Sequence, residues 1–436
     1  MTISSSLSAG VAGLNANAVR LAAISDNISN SATLGYKRAE VDFHAMVVGS
    51  GNSARYIAGG VTTTNQRLID QSGALTQTNN VTDISISGRG FLPVTKLSAL
   101  PESGSPLSFG LRTTGSFRAN SDGYLVNATG QVLLGWPADA TGNIPTQPRE
   151  TISALRPVQV NMAALAANPT TNAAISLNLP ATDTAAGGSG QPYEMTMEYY
   201  NPLGEAGWMT YRFTPIIPAT GSSNQWTMEI EDSISASTLG SWALDFATLG
   251  PAAGMLQSAT PVGASPAYDA ATGQIGLTLP HGPVTLSIGK PGEPGGLSQL
   301  AAGFVPSAPV KDGSPVSSVV ALELDEQGNL YGVYDRGFSK LLYQIPVADV
   351  RNPNGLISLG DQTYQVSSTS GSFYLWDAGT GPAGVTRSFT REESSTDVAH
   401  ELTQLIQTQR AYSSNAKVVI FRAELTRDFH REVTHL

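Results

Sequence analysis

The chain has 436 residues, which at roughly 100 to 200 residues per domain allows two to four domains. Lys and Arg number 24 against 34 Asp and Glu, and the net charge of −10 argues against nucleic acid or an anionic membrane surface as a partner. The sequence contains no cysteine, which excludes disulfides, thiolate metal sites and thiol nucleophiles.

The first predicted element is a long helix that ends between Asn30 and Gly35. Gly10 and Gly13 lie in its interior, where each glycine costs about 1 kcal/mol relative to alanine, so we expect them to mark the close approach of a second helix. Apolar residues recur with spacings of four and three, as in a heptad seam, at Leu7, Val11, Leu14, Leu21 and Ile28.

The same segment is a poor candidate for a membrane span or a signal peptide. It has no uninterrupted run of roughly 18 apolar residues, the length that a spanning helix needs. Its first basic side chain is Arg20, whereas a signal peptide begins with a basic region. We therefore expect neither membrane insertion nor a cleavable signal peptide.

The middle of the chain is predicted to be β structure. Large apolar residues alternate with other residues at 195–199, 209–213 and 226–230, as in half-buried antiparallel strands. Turn signals such as Asn201-Pro202-Leu203-Gly204 separate these runs. From residue 157 to residue 298 there are 2 basic and 10 acidic side chains, a net charge of −8 that suits a solvated outer domain.

The last predicted element is a second long helix, from about residue 397 to 432, with Asp397 as its N-cap. No Gly or Pro follows Gly384, and the helix would be roughly 50 Å long. Its apolar seam repeats the spacing of the first helix at Leu402, Leu405, Tyr412 and Val419. These patterns alone leave open an intramolecular hairpin, a dimerisation stalk and assembly into a polymer.

These elements predict an α+β fold with a discontinuous, nested architecture. The terminal helices form a coiled-coil-like base, and antiparallel β domains of barrel or sandwich type are inserted between them. The predicted parts are a helical domain at 1–45 and 391–436, a linker or spoke-like segment at 46–80, an inner β domain at 81–155 and 299–390, and an outer acidic β domain at 156–298.

A search for catalytic, cofactor or metal sites finds none. No two of the five histidines have the i, i+4 spacing of a helical zinc site. The adjacent acids Glu392-Glu393 and Glu231-Asp232 are expected to be solvated surface charge. Gly88-Arg89-Gly90 lacks the Lys-Ser/Thr that completes a phosphate loop. The sequence thus favours mechanical or binding work over catalysis, with no cofactor.

The segment from Asn27 to Arg38, NISNSATLGYKR, resembles the N-terminal signature of the bacterial flagellar rod and hook proteins. Three further blocks, at 86–92, 115–136 and 392–417, also resemble that family, whereas RSFTR at 387–391 departs from its usual Gly-rich strand. Ser29 replaces the alanine that is usual there. The residues that fit the N-terminal signature are Asn27, Asn30, Thr33, Gly35, Tyr36 and Lys37.

The resemblance implies a non-enzymatic subunit of the extracellular bacterial flagellum that is exported without a cleavable signal peptide. The large middle region, in which residues 193–230 look hook-like, favours a subunit of the curved hook that joins rod to filament. The partners so implied are further copies of the chain, the distal rod protein, the hook cap, the hook-filament junction protein and the export apparatus.

Under this hypothesis the two apolar seams bury against neighbouring subunits in an inner tube. We expect the seams to be unsatisfied in a single copy, and the chain ends to be disordered until assembly. The alternatives are a distal rod-type protein that forms a straight rigid tube, a secreted β-rich adhesin, and a peptidoglycan-cleaving enzyme.

Overall fold

A computed structural model describes residues 3–46, 59–100, 108–139, 142–161 and 165–433, with the backbone alone described at helix positions 3–6 and 422–433. The protein is mostly β-strand, with helix α1 (Ile3–Ser29) near one end and helix α2 (Val398–Val433) near the other. Both helices confirm the predicted ones. Asp397 caps α2 as expected, because its Oδ1 accepts a hydrogen bond from the backbone N–H of Ala399 at 2.9 Å.

The strands fall into three stretches of the chain. The first comprises β1 (Ala39–Ala45), β2 (Val61–Arg67), β3 (Leu75–Gln77), β4 (Asp83–Ser87), β5 (Leu92–Lys96), β6 (Gly110–Arg112), β7 (Thr114–Ala119), β8 (Leu125–Asn127), β9 (Gln131–Pro137) and β10 (Arg156–Pro157). The second comprises β11 (Leu165–Asn168), β12 (Asn172–Ala174), β13 (Leu177–Pro180), β14 (Tyr193–Tyr200), β15 (Ala206–Pro215), β16 (Gln225–Asp232), β17 (Ser237–Phe246), β18 (Leu256–Val262), β19 (Tyr268–Asp269), β20 (Gln274–Leu279), β21 (Gly282–Ser287), β22 (Leu297–Leu300), β23 (Val305–Pro306) and β24 (Val310–Lys311). The third comprises β25 (Ser314–Leu324), β26 (Asn329–Tyr334), β27 (Ser339–Gln344), β28 (Val347–Val350), β29 (Ile357–Gly360), β30 (Thr363–Gln365), β31 (Phe373–Trp376), β32 (Val385–Arg387) and β33 (Thr390–Glu392).

The chain divides into two compact units. The second unit consists of Met162–Val320 and Tyr334–Phe338, and the first consists of Met1–Asn161, Ala321–Val333 and Ser339–Leu436. The four-part division expected from the sequence stays a prediction, and its linker at 46–80 lies partly outside the described residues.

Antiparallel strands build the first unit around two apolar cores. β9 pairs with β5, β8, β10 and β27, and β7 pairs with β4 and β8. Phe117 and Leu133 belong to one core, Trp136 and Tyr364 to the other. β1 and β2 form a separate two-stranded ribbon that packs against α1. The unusual segment 387–391 runs from the end of β32 into β33, which pairs with β3 and leads to α2.

Two faces of β structure enclose one core in the second unit. One face is the antiparallel meander β14-β15-β16-β17-β18, and the other consists of the sheets β19-β20-β21-β12-β24 and β22-β13-β23. The predicted alternation is confirmed, since the buried side chains include Met195, Met197, Tyr199, Met209, Tyr211, Phe213, Trp226, Met228 and Ile230.

The expectation of purely antiparallel β domains is wrong for two strand pairs in the second unit. β12 runs parallel to β21, and β13 runs parallel to β22. Parallel neighbours need a long crossover connection, and here the whole β14–β18 meander lies between the paired strands. Such pairs join segments about a hundred residues apart, which local sequence patterns do not report.

Candidate assembly surface

α1 and α2 lie side by side in antiparallel orientation, with glycines of α1 at the contact. A Cβ atom on Gly10 would lie 3.2 Å from Cγ2 of Val419. A Cβ atom on Gly13 would lie 2.8 Å from Nδ2 of Asn415, closer than real Cβ contacts come. The predicted close approach of a helix at these two glycines is therefore confirmed, and its partner is the C-terminal helix of the same copy.

The apolar seam predicted for α1 is not the face that α2 covers. The most buried α1 residues are Ala16, Asn17, Ala23, Ile24 and Asn27. At 3.6 residues per turn, that face is about a third of a turn from the predicted seam. The intramolecular hairpin, one of the three alternatives, is thus present. The buried face of α1 carries small and polar residues together with Ile24, and Leu7 and Val11 of the α1 seam stay exposed.

The predicted seam residues accordingly divide into two groups. The exposed group contains Leu7 (39% exposed), Val11 (42%), Leu402 (46%) and Tyr412 (39%). The half-buried group contains Leu14, Leu21, Ile28, Leu405 and Val419. The expectation that the whole seam is unsatisfied in one copy is therefore wrong for the second group, and disorder of the ends before assembly stays a prediction.

α2 also exposes apolar residues that the seam prediction missed. They are Ile406 (52% exposed), Val418 (53%), Ile420 (59%) and Phe421 (67%). Ile406 follows Leu402 by about one turn on the same face of α2, and Ile420 lies on that face about 27 Å from Leu402. Together these residues extend the seam into an apolar stripe. A strict spacing of four and three selects one narrow line of positions, which is why these neighbours were missed.

A group of buried polar residues, which we call the clasp, ties both helices to the β strands of the first unit. Its members are Asn27, Lys37, Arg38, Glu392 and Glu401. All five lie within the segments 27–38 and 392–417 that carry the family resemblance. The family signature therefore has a structural role in this chain.

Asn27 is the centre of the clasp and is 1% exposed. Its Nδ2 donates to the backbone oxygen of Ala39 at 2.8 Å and to Oε1 of Glu401 at 3.1 Å. Its Oδ1 accepts from the backbone N–H of Ala39 at 2.8 Å and from the hydroxyl of Tyr36 at 3.1 Å. One side-chain amide with all its hydrogen bonds made thus joins α1, β1 and α2.

Lys37 and Glu392 form a buried ion pair, with side chains 2% and 3% exposed. The Lys37 ammonium donates to Oε1 of Glu392 and to the backbone oxygen of Gln71, both at 2.7 Å. The backbone N–H of Gly73 donates to the same carboxylate oxygen at 2.8 Å. The expectation that Glu392 is surface charge is therefore wrong, whereas Glu393 is exposed as expected.

A second ion pair links the start of β1 to the first turn of α2. Arg38 Nε donates to Oε1 of Glu401 at 3.2 Å, and the Arg38 backbone N–H donates to the hydroxyl of Ser395 at 3.0 Å. The Glu401 side chain is 1% exposed. Because removing one partner leaves an uncompensated buried charge, this pair strongly favours one placement of α2 on the first unit.

The remaining signature residues shape the turn after α1. Gly35 has φ +73°, and a Cβ atom there would lie 2.9 Å from Cγ2 of Thr114. Thr33 Oγ1 donates to Oδ1 of Asn30 at 3.1 Å. Burial, together with the hydrogen bond that its hydroxyl donates to Asp26, raises the pKa of Tyr36 to about 12. The turn thus returns the chain directly to the clasp.

Sequence reasoning missed Arg38, Glu392 and Glu401 as functional residues. Their roles depend on pairings across more than 350 positions of the chain, which no local pattern reveals. In the second unit, the expectation of surface charge is wrong for Asp232, whereas the Glu231 side chain is 42% exposed as expected. Asp232 is 2% exposed and accepts a hydrogen bond from the Tyr199 hydroxyl at 2.6 Å.

The described part of the chain contains no group of three or more His, Asp or Glu side chains placed to hold a metal ion. By length and composition alone, Leu7–Ser29 of α1 could cross a membrane. A helix that packs inside a protein can have the same length and composition. Here the polar side chains of Asn17 and Asn27 are buried and hydrogen-bonded to protein atoms. The absence of membrane insertion stays a prediction.

Comparison with known proteins agrees with the placement of these segments. A family model described as flagella basal body rod protein matches residues 7–37, and one described as flagellar basal body rod FlgEFG protein C-terminal matches residues 390–420. These two ranges contain most of α1, four of the five clasp residues (all but Arg38) and most of the described side chains of α2.

Relatives match over nearly the whole chain. The flagellar hook protein FlgE of Brucella suis biovar 1 (strain 1330) is 32% identical over 427 residues, which are 98% of each protein. That of Escherichia coli (strain K12) is 28% identical and covers 94% of this chain and 96% of its own. The crystal structure of Helicobacter pylori flagellar hook protein FlgE2 aligns with a TM-score of 0.44 at 13% identity, over 73% of this chain and 99% of that one. The chain belongs to the flagellar hook protein FlgE family.

Proposed function

We propose that this chain is a structural subunit that polymerises into the curved, flexible hook of the bacterial flagellum. One observation carries the mechanism: a folded copy leaves an apolar stripe on its paired helices uncovered. Leu402, Ile406 and Ile420 are each about half exposed. A soluble protein seldom leaves such a stripe open unless another surface covers it.

The stripe is covered, in this proposal, by the helices of neighbouring copies. Contacts between two different surfaces of identical subunits form a closed ring only when the rotation from one subunit to the next returns to the start. Otherwise they build open helical assemblies. The terminal helices would then form the coiled-coil-like inner tube, with the β domains nested outside it. The buried clasp, which fixes α2 on the first unit, would transmit torque between the inner tube and the β strands.

The acidic second unit is proposed to face outward and to make the weak, wet contacts that let subunits slide as the hook rotates. Its 4 basic and 12 acidic side chains give a net charge of −8, so two such units repel each other at close range. The sequence placed this outer domain at 156–298. A deletion of residues 162–320 follows the bounds of the long segment of the second unit. We expect this deletion to straighten or soften the tube.

The same proposal gives location and partners. The chain would act outside the cell in the flagellum, after export without a cleavable signal peptide and without catalysis or a cofactor. Beyond further copies of itself, it would contact the distal rod protein, the hook cap, the hook-filament junction protein and the export apparatus. A rod-type straight tube, the family alternative, is not favoured by the comparisons.

The test is electron microscopy of concentrated protein, in which we expect curved tubes. Leu402→Asp places a charge in the stripe and is expected to abolish them. The side chain is 46% exposed, so the folded copy tolerates the change. Leu249→Asp, at an 85% exposed position in the second unit, is the matched control and is expected to assemble. Tubes formed by Leu402→Asp at the native concentration would refute the stripe as the contact.

A further inference from the structure

Helix α2 and the ribbon of β1 and β2 carry charges that have no ion-pair partner among the described residues. On α2 these are Arg410 and Lys417, which lie seven residues and about 10 Å apart on one face. On β1 they are Glu40 and Asp42, two residues and about 7 Å apart on one face of the ribbon. No salt bridge forms at any of the four side chains among the described residues.

The other described Arg, Asp and Glu side chains of the helices and the ribbon already have partners. Asp26 pairs with Arg67, and Arg38 pairs with Glu401. Arg20, the remaining cation of α1, donates to Gln404 and lies over the ring of Phe43 at 5.5 Å. The described side chains of the helices and ribbon thus leave two exposed cations on α2, and on β1 one half-buried anion, Glu40, and one exposed anion, Asp42.

The strand neighbours of the two acids do not compensate them either. Glu40 lies opposite Gln66 of β2, and Asp42 lies opposite Thr64, both of which are neutral. On α2, Arg410 and Lys417 lie beside the apolar stripe rather than within it. Charges in that position contribute little to affinity but set the register and orientation of a contact, as they do at the flanks of coiled coils.

We propose that Arg410 and Lys417 of one copy pair with Glu40 and Asp42 of a second copy, and that these pairs set the register of the hook polymer. The inference rests on the proposed polymerisation and adds to it the second partner surface, the exposed face of β1. The two sets have the same number of charges, opposite sign and comparable spacing. We therefore take a second copy of the chain to be the partner that binds these charges. The apolar stripe then supplies adhesion, and the ion pairs supply specificity.

The experiment compares three variants of the full chain with the native protein. The first is the double variant Arg410→Glu/Lys417→Glu. The second adds Glu40→Lys and Asp42→Lys, which exchanges the two charge sets. The control is Lys96→Glu/Lys290→Glu, which makes the same change in net charge at two exposed, unpaired lysines away from the helices. Assembly is induced with trimethylamine N-oxide at low ionic strength, because a sulfate precipitant would screen the charges.

The measured quantity is the lowest protein concentration that gives tubes by sedimentation and electron microscopy. Each exposed ion pair is weak, but reversal also introduces repulsion, so the double variant is expected to need about tenfold more protein than the native chain. The control is expected to stay within about twofold. The fourfold exchange is expected to restore assembly with itself while failing to enter tubes of the native chain.

The outcomes separate the two proposals. If the native chain forms tubes and the double variant forms them at the same protein concentration, the charge pairing is overturned and the proposed function stays intact. A fourfold exchange that assembles no better than the double variant would also overturn it, provided that circular dichroism shows native helix content. Failure of the native chain to form tubes in any condition would overturn the proposed function and this inference together.

Discussion

Replacing Lys37 by methionine tests whether the clasp holds the helices on the first unit. The change removes an ammonium group and leaves the Glu392 carboxylate buried, with the Gly73 N–H at 2.8 Å as its remaining donor among those described above. Breaking a buried ion pair by removing one partner costs about 3 to 5 kcal/mol. We therefore expect Lys37→Met to lower the free energy of unfolding of the first unit by about 3 to 5 kcal/mol.

The assay is guanidinium chloride unfolding followed by circular dichroism at a helix wavelength, because both α-helices belong to the first unit. The double variant Lys37→Met/Glu392→Met removes both charges, and we expect it to recover most of the loss, since apolar replacement of a whole buried pair is often neutral. The difference between single and double variants gives the coupling between the two side chains.

Arg387→Met is the matched control, because Arg387 pairs with Glu326 in the same unit while both side chains are about half exposed. Such a pair contributes about 0 to 1 kcal/mol, so the control should change stability little. If Lys37→Met cost no more than the control, the clasp would not fix the helices, and its role in torque transmission would fail with it.

Two further predictions concern the turn after α1. In urea unfolding, Gly35→Ala is expected to lower the free energy of unfolding more than Gly130→Ala does. Both glycines have positive φ, which costs an alanine about 1 to 3 kcal/mol of strain. Only at Gly35 would the new Cβ atom also meet a neighbouring atom, at 2.9 Å. Above pH 10, the Tyr36→Phe variant should lose less stability with rising pH than the native chain does. The folded pKa of Tyr36 is about 12 against an ordinary 10, so the unfolded chain ionises first and stability falls as pH rises through that window. Equal losses in the native chain and Tyr36→Phe would contradict the assignment.

The overall fold was largely readable from the sequence because its signals are local. The apolar periodicity of the helices, the cap at Asp397 and the strict alternation in the second unit each depend on a few neighbouring residues. The parallel pairs β12 with β21 and β13 with β22 were not readable. They join strands whose separation in the chain exceeds any local pattern.

The candidate site was only partly predictable for the same reason. Gly10 and Gly13 predicted a close helix contact because glycine is costly inside a helix, and this contact is present. Glu392 looked like solvent-exposed charge because its partner Lys37 lies 355 residues away. The sequence predicted the seam as one line of apolar positions, but it could not show that five of the nine residues would be half-buried in a single copy.

This difference between the two faces of α1 matters for assembly. If the helices of one copy paired through the same apolar residues that bind the next copy, the two contacts would compete, and subunits could exchange helices instead of adding to a tube. Here the internal contact uses glycines, an asparagine and a buried carboxylate, which fit only at one register. In the proposed polymer, polar and steric fit selects the helix of the same copy, and the exposed part of the apolar stripe binds neighbours. Folding and polymerisation would then use different residues of the same two helices, apart from Val419, a seam residue that already contacts Gly10 within the copy.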